Sequence, residues 1–273
     1  MASELPEWEL LPELIGLSEE AGECILGFYR RQSEAVEVQY KENRTPLTEA
    51  DMAAHHLIEA GLQRLTPGLP VLSEESEAIP FAERTRWGRY WLVDPLDGTK
   101  EFIKGNGEFT VNIALVEGHR AILGVIHGPV NGVTYYAGVG RGAYRRRRDA
   151  APEPIRVRPL QPGRFTVAGS RSHVSRTFQR FLGNLGGCDV IPMGSSLKSC
   201  LVAEGSADVY PRFGPTCEWD TAAAQCVVEE AGGALVDTDM QPLRYNTKDS
   251  LLNPHFLAVG DAGYPWPRYL PGA

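Results

Sequence analysis

One segment constrains this chain more than any other: Trp91-Leu92-Val93-Asp94-Pro95-Leu96-Asp97-Gly98-Thr99. The residues from Tyr90 to Val93 have the apolar character of a short buried strand. Because proline cannot continue a central strand, the pattern predicts that the strand ends at Asp94 and that the chain turns there. A tight turn directs the carboxylates of Asp94 and Asp97 toward one point and exposes the carbonyl of Leu96.

The oxygen donors of this segment favour one kind of ligand. Carboxylate and carbonyl oxygens suit Mg²⁺ better than Zn²⁺. Gly98 and Thr99 begin a short predicted helix, and the free backbone N–H groups at its start are expected to bind a phosphate group. The same residues also fit a plain Asp-Gly turn with Asp94 as a helix N-cap, which is the commoner use of such a turn. The metal interpretation therefore needs further ligands from elsewhere in the chain.

Two more acidic positions supply such ligands. Glu74 follows the apolar pair Val71-Leu72, which indicates the end of a strand, although an acidic pair at a surface is usually only solvated. Asp220 begins an Ala-rich helix, where N-capping is the simplest role for an aspartate. The candidate metal ligands are Glu74, Asp94, the carbonyl of Leu96, Asp97 and Asp220.

The first half of the chain predicts helices on an antiparallel sheet. Apolar residues at steps of three and four mark an amphipathic helix from about Glu7 to Arg31. A second helix follows Pro46, with Thr48 as its N-cap and Asp51 in the third helical position, much like a capping box. Strands are predicted for Phe109 to Val116, Ala121 to His127 and Val133 to Ala137, with a hairpin turn over Glu117 to Arg120.

The second half has a different order of elements. A Pro-rich stretch from Pro152 to Pro162 marks the boundary, and helices then alternate with strands, which predicts an α/β arrangement. The predicted helices are Val174 to Leu185, Ser195 to Ala203 and Asp220 to Glu230, and the strands are Phe165 to Ala168, Ala207 to Pro211, Leu235-Val236 and Phe256 to Val259. We therefore predict an N-terminal α+β half over residues 1–155, with the metal-binding motif, and a C-terminal α/β half over residues 156–273, with the substrate-binding residues.

Bulk properties narrow the function classes. The net charge of −8 over 273 residues argues against nucleic acid as a general partner. The acidic N-terminus lacks the order of a secretion signal, and no apolar run approaches the roughly 18 residues that span a bilayer. These features predict a cytoplasmic protein without an integral membrane segment, and they leave peripheral membrane association open. For the assembly state, the expectation is a monomer or a homodimer, and no sequence feature separates the two. The five cysteines contain no Cys-x-x-Cys pair and are expected to be reduced.

Two long motifs resemble the inositol monophosphatase superfamily, whose members are Mg²⁺-dependent, lithium-sensitive phosphatases. The first is the segment 91–99, and the second extends from Glu218-Trp219-Asp220 to Glu230-Ala231-Gly232-Gly233. The resemblance covers nearly the whole chain and implies the layered αβαβα sugar-phosphatase fold. Lys100-Glu101-Phe102-Ile103 is similar to the 3′(2′),5′-bisphosphate nucleotidase branch of the bacterial CysQ type, because inositol phosphatases usually have Thr-Asn-Phe after the Gly-Thr pair.

The resemblance implies two Mg²⁺ ions, with a third and weaker ion near Glu74. Glu74, Asp94, the Leu96 carbonyl and Thr99 would surround one ion, and Asp94, Asp97 and Asp220 would hold the other. The attacking water is then activated by metal and oriented by Thr99 with Asp51, so the implied catalytic residues are Asp51, Thr99 and Glu74. From the residues alone, Asp51 is equally consistent with a capping box.

The resemblance also implies a set of substrate contacts: Gly98, Thr99, His173, Ser195, Lys198, Arg212 and Asp220. Lys198 and Arg212 would receive a phosphate that is not cleaved, and arginine suits this task through its planar, bidentate donors. Ser195 and His173 would add hydrogen bonds. A surface lysine on a helix and a charge at a strand end are the structural alternatives for Lys198 and Arg212.

The expected reaction is hydrolysis of the 3′-phosphate of adenosine 3′,5′-bisphosphate to AMP and phosphate. The same site would also convert 3′-phosphoadenylyl sulfate to adenylyl sulfate, which links the enzyme to sulfur metabolism, and the family likeness implies inhibition by lithium. The alternatives are an inositol monophosphatase, a fructose-1,6-bisphosphatase or a non-catalytic sensor of metal and nucleotide. The intact set of ligand positions disfavours the sensor.

Two conspicuous features are not interpreted as functional. The run from Arg145 to Arg148 fits a solvated loop in a hairpin region better than an RNA or membrane site, because the whole chain is acidic. His55 and His56 are adjacent on a predicted helix and so point in different directions, which argues against a metal pair.

Overall fold

The computed structural model describes residues 7–34, 46–171 and 175–272. These residues form two β-sheets with helices between them and on both outer faces, so that five layers alternate as α, β, α, β and α. The layered fold implied by the sequence motifs is therefore confirmed. Within the described residues, no helix is long and apolar enough to cross a membrane.

The first sheet follows the order of the chain. Its strands are β1 (Val71–Ser73), β2 (Arg89–Asp97), β3 (Thr110–Glu117), β4 (Arg120–Gly128), β5 (Val133–Gly138), β6 (Gly142–Arg147) and β7 (Glu153–Ile155). Only the pair β1–β2 is parallel, and the other neighbours are antiparallel. The predicted hairpin is confirmed: Glu117 pairs with Arg120, and Gly118 and His119 both have positive φ, as a two-residue hairpin loop requires.

Helices cover both faces of this sheet. Helix α1 (Leu11–Glu34), preceded by a 3-10 turn over Glu7–Leu10, and α2 (Pro46–Leu65) cover the outer face, with short helices α3 (Phe81–Arg84) and α4 (Thr99–Lys104) at the rim. Strand β2 shows the expected alternation of side chains. Trp91 and Val93 pack in the core with α1 and α2, whereas Tyr90 and Leu92 pack in the core on the opposite face.

The second sheet is formed by β8 (Phe165–Ser170), β9 (Cys188–Met193), β10 (Val209–Arg212), β11 (Ala234–Asp237) and β12 (Phe256–Val259). Its strand order is β11-β12-β10-β8-β9, and its helices are α5 (Arg176–Asn184), α6 (Leu197–Ala203) and α7 (Ala222–Glu230). Helices α6 and α7 lie in the layer between the sheets, and α5 covers the outer face. Strand β9 was not predicted from the sequence, because it is an edge strand whose residues are exposed or half-exposed.

Two local predictions were wrong. Strand β2 does not end at Asp94 but continues to Asp97. A β-bulge between Asp94 and Asp97 leaves Pro95 outside the pairing with β3, so the N–H that proline lacks is not needed there. Helix α2 already begins at Pro46, where proline is well suited to the first helical position, so Thr48 lies inside the helix and does not cap it.

The arginine run also differs from its prediction as a loop. Residues 145–147 belong to β6, so the side chains of consecutive arginines point to opposite faces of the sheet. Arg145 binds Glu204 and Glu153, whereas Arg146 binds Glu19 on α1, and Arg148 just beyond the strand binds Glu23. Three of the four arginines are therefore paired with glutamates of the same chain.

Candidate metal centre

Three aspartates meet at the bulged end of β2. Asp94, Asp97 and Asp220 each offer a carboxylate oxygen, and these oxygens all lie within 4.8 Å of one another. Asp94 is fully buried, and its Oδ1 accepts a hydrogen bond from the Leu96 N–H at 3.0 Å. Its Oδ2 is also buried, and no donor among the described residues reaches it. Such an oxygen is an available ligand for a cation.

Asp220 reaches this point from a distant part of the chain. It ends a 3-10 turn, Glu218–Asp220, and its Oδ2 accepts a hydrogen bond from the backbone N–H of Cys217 at 2.9 Å. Helix α7 begins only at Ala222, so the simple role of Asp220 as its N-cap is wrong. Asn253 stabilises this turn: its Nδ2 donates to the carbonyl of Cys217 at 2.6 Å and to Thr221 Oγ1 at 3.0 Å.

Glu74 lies beside the aspartates because β1 and β2 are parallel. It directly follows β1, and its N–H donates to the carbonyl of Val93 at 3.1 Å. Asp51 reaches the same region from α2, buried to 6% exposure. Its Oδ1 has no hydrogen-bond partner among the described residues. Four parts of the sequence thus bring carboxylates to one place.

The pKa values of four of these carboxyl groups are raised: Asp51, Glu74, Asp94 and Asp220. Burial is the largest cause in each case, and the neighbouring negative charges add to it. The pKa of Asp51 is raised to about 8 by burial and by Glu75 and Glu74, and that of Glu74 to about 7 by burial and by Asp97 and Glu75. The pKa of Asp220 is raised to about 7 by burial and by Asp97, and that of Asp94 lies well above its ordinary value. A bound cation would relieve this repulsion.

Asp97 is oriented by two consecutive serines. Its Oδ2 accepts hydrogen bonds from Ser195 Oγ at 2.6 Å, from the Ser196 N–H at 2.7 Å and from Ser196 Oγ at 2.8 Å. Ser195 has a φ of 53°, a left-handed conformation that is unusual for serine. The hydroxyl of Ser195 is thus engaged with Asp97, and its prediction as a substrate contact is not tested by this geometry.

Several residues that contact the ligands or their hydrogen-bond partners were not predicted from the sequence. Thr110 and Asn112 of β3 reach the two serines: Thr110 Oγ1 lies 2.5 Å from Ser195 Oγ, and Asn112 Nδ2 donates to Ser196 Oγ at 2.9 Å. Glu75, next to Glu74, also raises the pKa of Asp51. Polar residues at buried strand positions were the available signal for Thr110 and Asn112, because such positions are otherwise apolar.

Lys198 is not a surface lysine. It is 6% exposed in α6, and its Nζ donates to the Ser195 carbonyl at 2.6 Å and lies 5.2 Å from the ring centre of Tyr210. Burial lowers the pKa of Lys198 to about 8, and Asp97 opposes that effect. Arg212, at the end of β10, donates from Nη2 to the Pro215 carbonyl at 3.1 Å, and its buried Nε has no partner among the described residues. Lys198 thus lies close enough to Asp97 and Arg212 for their charges to affect its pKa.

Three predicted site residues remain: Gly98, Thr99 and His173. Gly98 precedes α4 with a φ of 96°, and a Cβ there would lie 3.0 Å from the Glu108 carbonyl, so this position favours glycine. Thr99 is the first residue of α4, and no hydrogen bond in the described part of the chain joins it to Asp51. The water-orienting pair therefore stays a prediction. His173 lies outside the described residues, and its role also stays a prediction.

The comparisons with known proteins agree with this architecture. The family model for the inositol monophosphatase family matches residues 8–262. The chain belongs to the inositol monophosphatase family. The inositol monophosphatase of Anabaena (Nostoc) sp. PCC 7120 has the same fold, with a TM-score of 0.72 and 23% identity over 97% of this chain and 96% of that structure.

More similar relatives come from one branch of this family. The chain is 45% identical to the 3′(2′),5′-bisphosphate nucleotidase CysQ of Escherichia coli K12 over 247 residues, which are 90% of this chain and 98% of the relative. It is 40% identical to the enzyme of the same name from Haemophilus influenzae, over 94% of this chain and 95% of the relative. The crystal structure of CysQ from Bacteroides thetaiotaomicron superposes with a TM-score of 0.80 and 42% identity, over 90% of this chain and 95% of that one. The predicted branch is confirmed.

Proposed function

We propose that the chain is a metal-dependent 3′(2′),5′-bisphosphate nucleotidase that hydrolyses the 3′-phosphate of adenosine 3′,5′-bisphosphate to AMP and phosphate. The observation that supports this proposal most is the cluster of Asp94, Asp97 and Asp220, whose oxygens lie within 4.8 Å of one another beside a buried lysine. The 45% identity to a nucleotidase of that name supports the choice of substrate. The second substrate, 3′-phosphoadenylyl sulfate, follows by the same reasoning.

The metal centre in this proposal is built from hard oxygen donors. Glu74, Asp94, the Leu96 carbonyl and Thr99 would hold one Mg²⁺ and Asp94, Asp97 and Asp220 another, with a weaker third site near Glu74. When bound, such cations polarise the phosphoryl group and offset the charge that develops during transfer. The buried Asp94 Oδ2, which lacks a donor among the described residues, fits this assignment.

The protein groups around the cations position the reaction. Ser195 and Ser196 hold Oδ2 of Asp97 and leave its other oxygen for a ligand. Asp51 Oδ1, buried and without a partner among the described residues, is the atom that we assign to accepting a proton from the attacking water. Its pKa of about 8 belongs to the metal-free protein, and bound cations would lower that pKa so that the carboxylate is ionised and can accept the proton. Thr99 and Glu74 complete the proposed catalytic set.

The anionic substrate needs cationic partners on the opposite side. Lys198 and Arg212 are the proposed partners for the phosphate that remains on the product, with His173 and Ser195 as further polar contacts. The amides of Gly98 and Thr99 would face the phosphate that is cleaved. Asp220 would contact both a metal and the substrate. In this scheme the acidic chain attracts its anionic substrate through local positive charge.

A comparison of substrates tests the proposal. Phosphate release by the purified protein in Mg²⁺ is measured with adenosine 3′,5′-bisphosphate, 3′-phosphoadenylyl sulfate, inositol 1-phosphate and fructose 1,6-bisphosphate. We expect the highest kcat/KM for the nucleoside bisphosphate and inhibition by lithium. A preference for inositol 1-phosphate or for fructose 1,6-bisphosphate would replace the proposed substrate. Nucleotide binding without turnover of any phosphomonoester would establish the sensor instead.

The remaining expectations concern the setting of the enzyme. We propose that it acts in the cytoplasm as a monomer or homodimer, without a nucleic-acid partner. The measured mass in solution, by light scattering after gel filtration, distinguishes the two assembly states.

A further inference from the structure

Helix α2 presents a second group of potential metal ligands, His55, His56 and Glu59. Glu59 lies four residues after His55 and three after His56, so helical geometry places it between the two histidines, one turn further on. The structure agrees with this geometry. One ligand atom from each of the three side chains lies within 4.8 Å of the other two. His55 and His56 are adjacent and diverge on the helix, and Glu59 brings a ligand atom close to both of them.

His55 is oriented as a metal-ligating histidine often is. Its Nδ1 lies 3.0 Å from Ser73 Oγ, within hydrogen-bond distance, and its Nε2 lies 3.8 Å from Glu59 Oε2. A hydrogen bond through one ring nitrogen fixes the ring and leaves the other nitrogen for a metal. His55 is 6% exposed, whereas His56 is exposed and the side chain of Glu59 is 44% exposed. The group has a fixed inner ligand and two outer ligands that solvent can reach.

The donor types differ from those of the acidic centre. Two imidazole nitrogens and one carboxylate are typical of Zn²⁺ and other transition metals, whereas the acidic centre offers only oxygens. We propose that His55, His56 and Glu59 form a second metal site, which binds Zn²⁺ or a similar divalent transition-metal cation, with water completing the coordination. We name these three residues the α2 site.

The side chain of Ser73 connects the α2 site to the turn that contains Glu74. Ser73, the hydrogen-bond partner of His55, immediately precedes Glu74, and its Oγ accepts from the N–H of Glu75 at 3.4 Å. Metal binding fixes the imidazole whose Nδ1 then donates to Ser73. Occupancy of the α2 site therefore stabilises the native arrangement of this turn.

Zinc binding to the full chain tests the proposal. Isothermal titration with ZnCl₂ is carried out in saturating Mg²⁺, so that the acidic centre is already filled. We expect one zinc site in the wild type and a loss of affinity of about 10-fold or more in His56→Ala, since a lost ligand should cost at least as much as a lost supporting contact. Glu49→Gln removes an exposed carboxylate from the same helix and leaves all three ligands, so its affinity should equal that of the wild type.

A melting experiment provides the second readout. Because zinc binds the native state, it should raise the Tm of the wild type and of Glu49→Gln but not that of His56→Ala. Glu59→Gln serves as an independent variant if His56→Ala does not fold. Equal zinc affinity in wild type and both ligand variants would overturn the proposal, as would binding that disappears with rising Mg²⁺. Neither measurement uses a phosphatase substrate, so its outcome does not depend on the proposed reaction.

Discussion

Asp97 combines two tasks that a single carboxylate can perform with its two oxygens. Oδ2 accepts three hydrogen bonds, from the hydroxyls of Ser195 and Ser196 and from the N–H of Ser196. Donors on one oxygen fix the plane of the carboxylate, and a carboxylate oxygen of Asp97 lies within 4.8 Å of oxygens from Asp94 and Asp220. The orientation of a ligand is therefore set by residues that need not touch the substrate.

Replacement of Asp97 by asparagine should separate folding from catalysis. Asp97→Asn preserves the size of the side chain but removes the negative charge, so we expect kcat/KM to fall by about 100-fold or more. The Tm of the metal-free protein should not fall, because one repulsive charge has left the cluster. Asp239→Asn, at an exposed carboxylate, is the matched control and should retain wild-type activity. Near-normal activity of Asp97→Asn would refute the proposed centre.

Arg212 offers a test of substrate recognition. Arg212→Gln removes the charge near Lys198, so we expect the KM for adenosine 3′,5′-bisphosphate to rise about 10-fold, the value of one charge-assisted hydrogen bond. Adenosine 3′-monophosphate lacks the second phosphate, and its KM should change little. Steady-state kinetics with both nucleotides measure the difference. An equal rise for both would show that Arg212 contacts the phosphate that is cleaved, or acts only on the structure.

At the scale of elements, the strand ends determine where the ligands lie. The bulge in β2 keeps Asp94 and Asp97 beside β3, and the parallel pairing of β1 with β2 places Glu74 next to them. Strand β6 shows a different use of alternation. Arg145 pairs with Glu204, the residue after α6, on one face, and Arg146 pairs with Glu19 of α1 on the other, so ion pairs connect the strand to two helical layers.

The ion pair of Arg145 on β6 and that of Arg148, just beyond this strand, should differ in their contribution to the free energy of unfolding. Arg145 is 23% exposed and binds Glu204, which is 11% exposed, as well as Glu153. Arg145→Gln leaves Glu204 without its charge partner and should reduce the free energy of unfolding by about 1–3 kcal/mol. Arg148→Gln, at an exposed pair, should reduce it by about 0.5 kcal/mol or less. Urea unfolding measures both variants, and equal effects would contradict the distinction.

At the scale of the whole molecule, the layers bring together residues that are far apart in the chain. The first sheet contributes Glu74, Asp94 and Asp97, and the connection before α7 contributes Asp220. The middle layer of α6 and α7 contacts both sheets, so the site lies where the two halves of the chain meet. The division at residues 155 and 156 stays a prediction, although the first sheet ends at Ile155.

The shared burial of these carboxylates predicts how pH affects the metal-free protein. Asp51, Glu74 and Asp220 have folded pKa values of about 7 to 8, above the ordinary values of 3.8 and 4.5. The folded state therefore binds more protons, and its stability is fully present below about pH 4 and lost as pH rises toward 8. His127, whose pKa is lowered to about 4, opposes this trend only below its ordinary value of 6.5.

Unfolding in EDTA at pH 6.5 and pH 8 tests this expectation. The free energy of unfolding should fall by about 2 kcal/mol or more between the two pH values, from the linkage of about 1.4 kcal/mol per pKa unit. Saturating Mg²⁺ should remove most of the fall, because the cation replaces the protons. Asp220→Asn should show a smaller fall than the wild type. A stability that rises with pH in EDTA would contradict the predicted direction.

Much of this protein could be predicted from short-range patterns in the sequence. The hairpin at Glu117 to Arg120, the amphipathic α1 and strands β2 to β5 follow from periodicity and turn residues, which act locally. Strand β6 was predicted as a loop, and β7 lies in the Pro-rich stretch that was predicted as a boundary. The segment from Asp94 to Thr99, with Glu74 and Asp220, identified the family and the acidic centre. Strand β9 and the start of α2 were missed or misplaced, because an exposed edge strand and a proline-initiated helix have weak local signals.

The tertiary structure decided what depends on contacts between distant residues. A bulge, rather than a chain reversal, places Asp94 beside Asp97, and Ser196 orients Asp97 from nearly one hundred positions away. Burial, not spacing, raises the pKa of Asp220 and lowers that of Lys198. Sequence patterns determine which residue types are present and how each segment prefers to fold. Desolvation and orientation arise only when separate layers pack together, so they could not be read from any one segment.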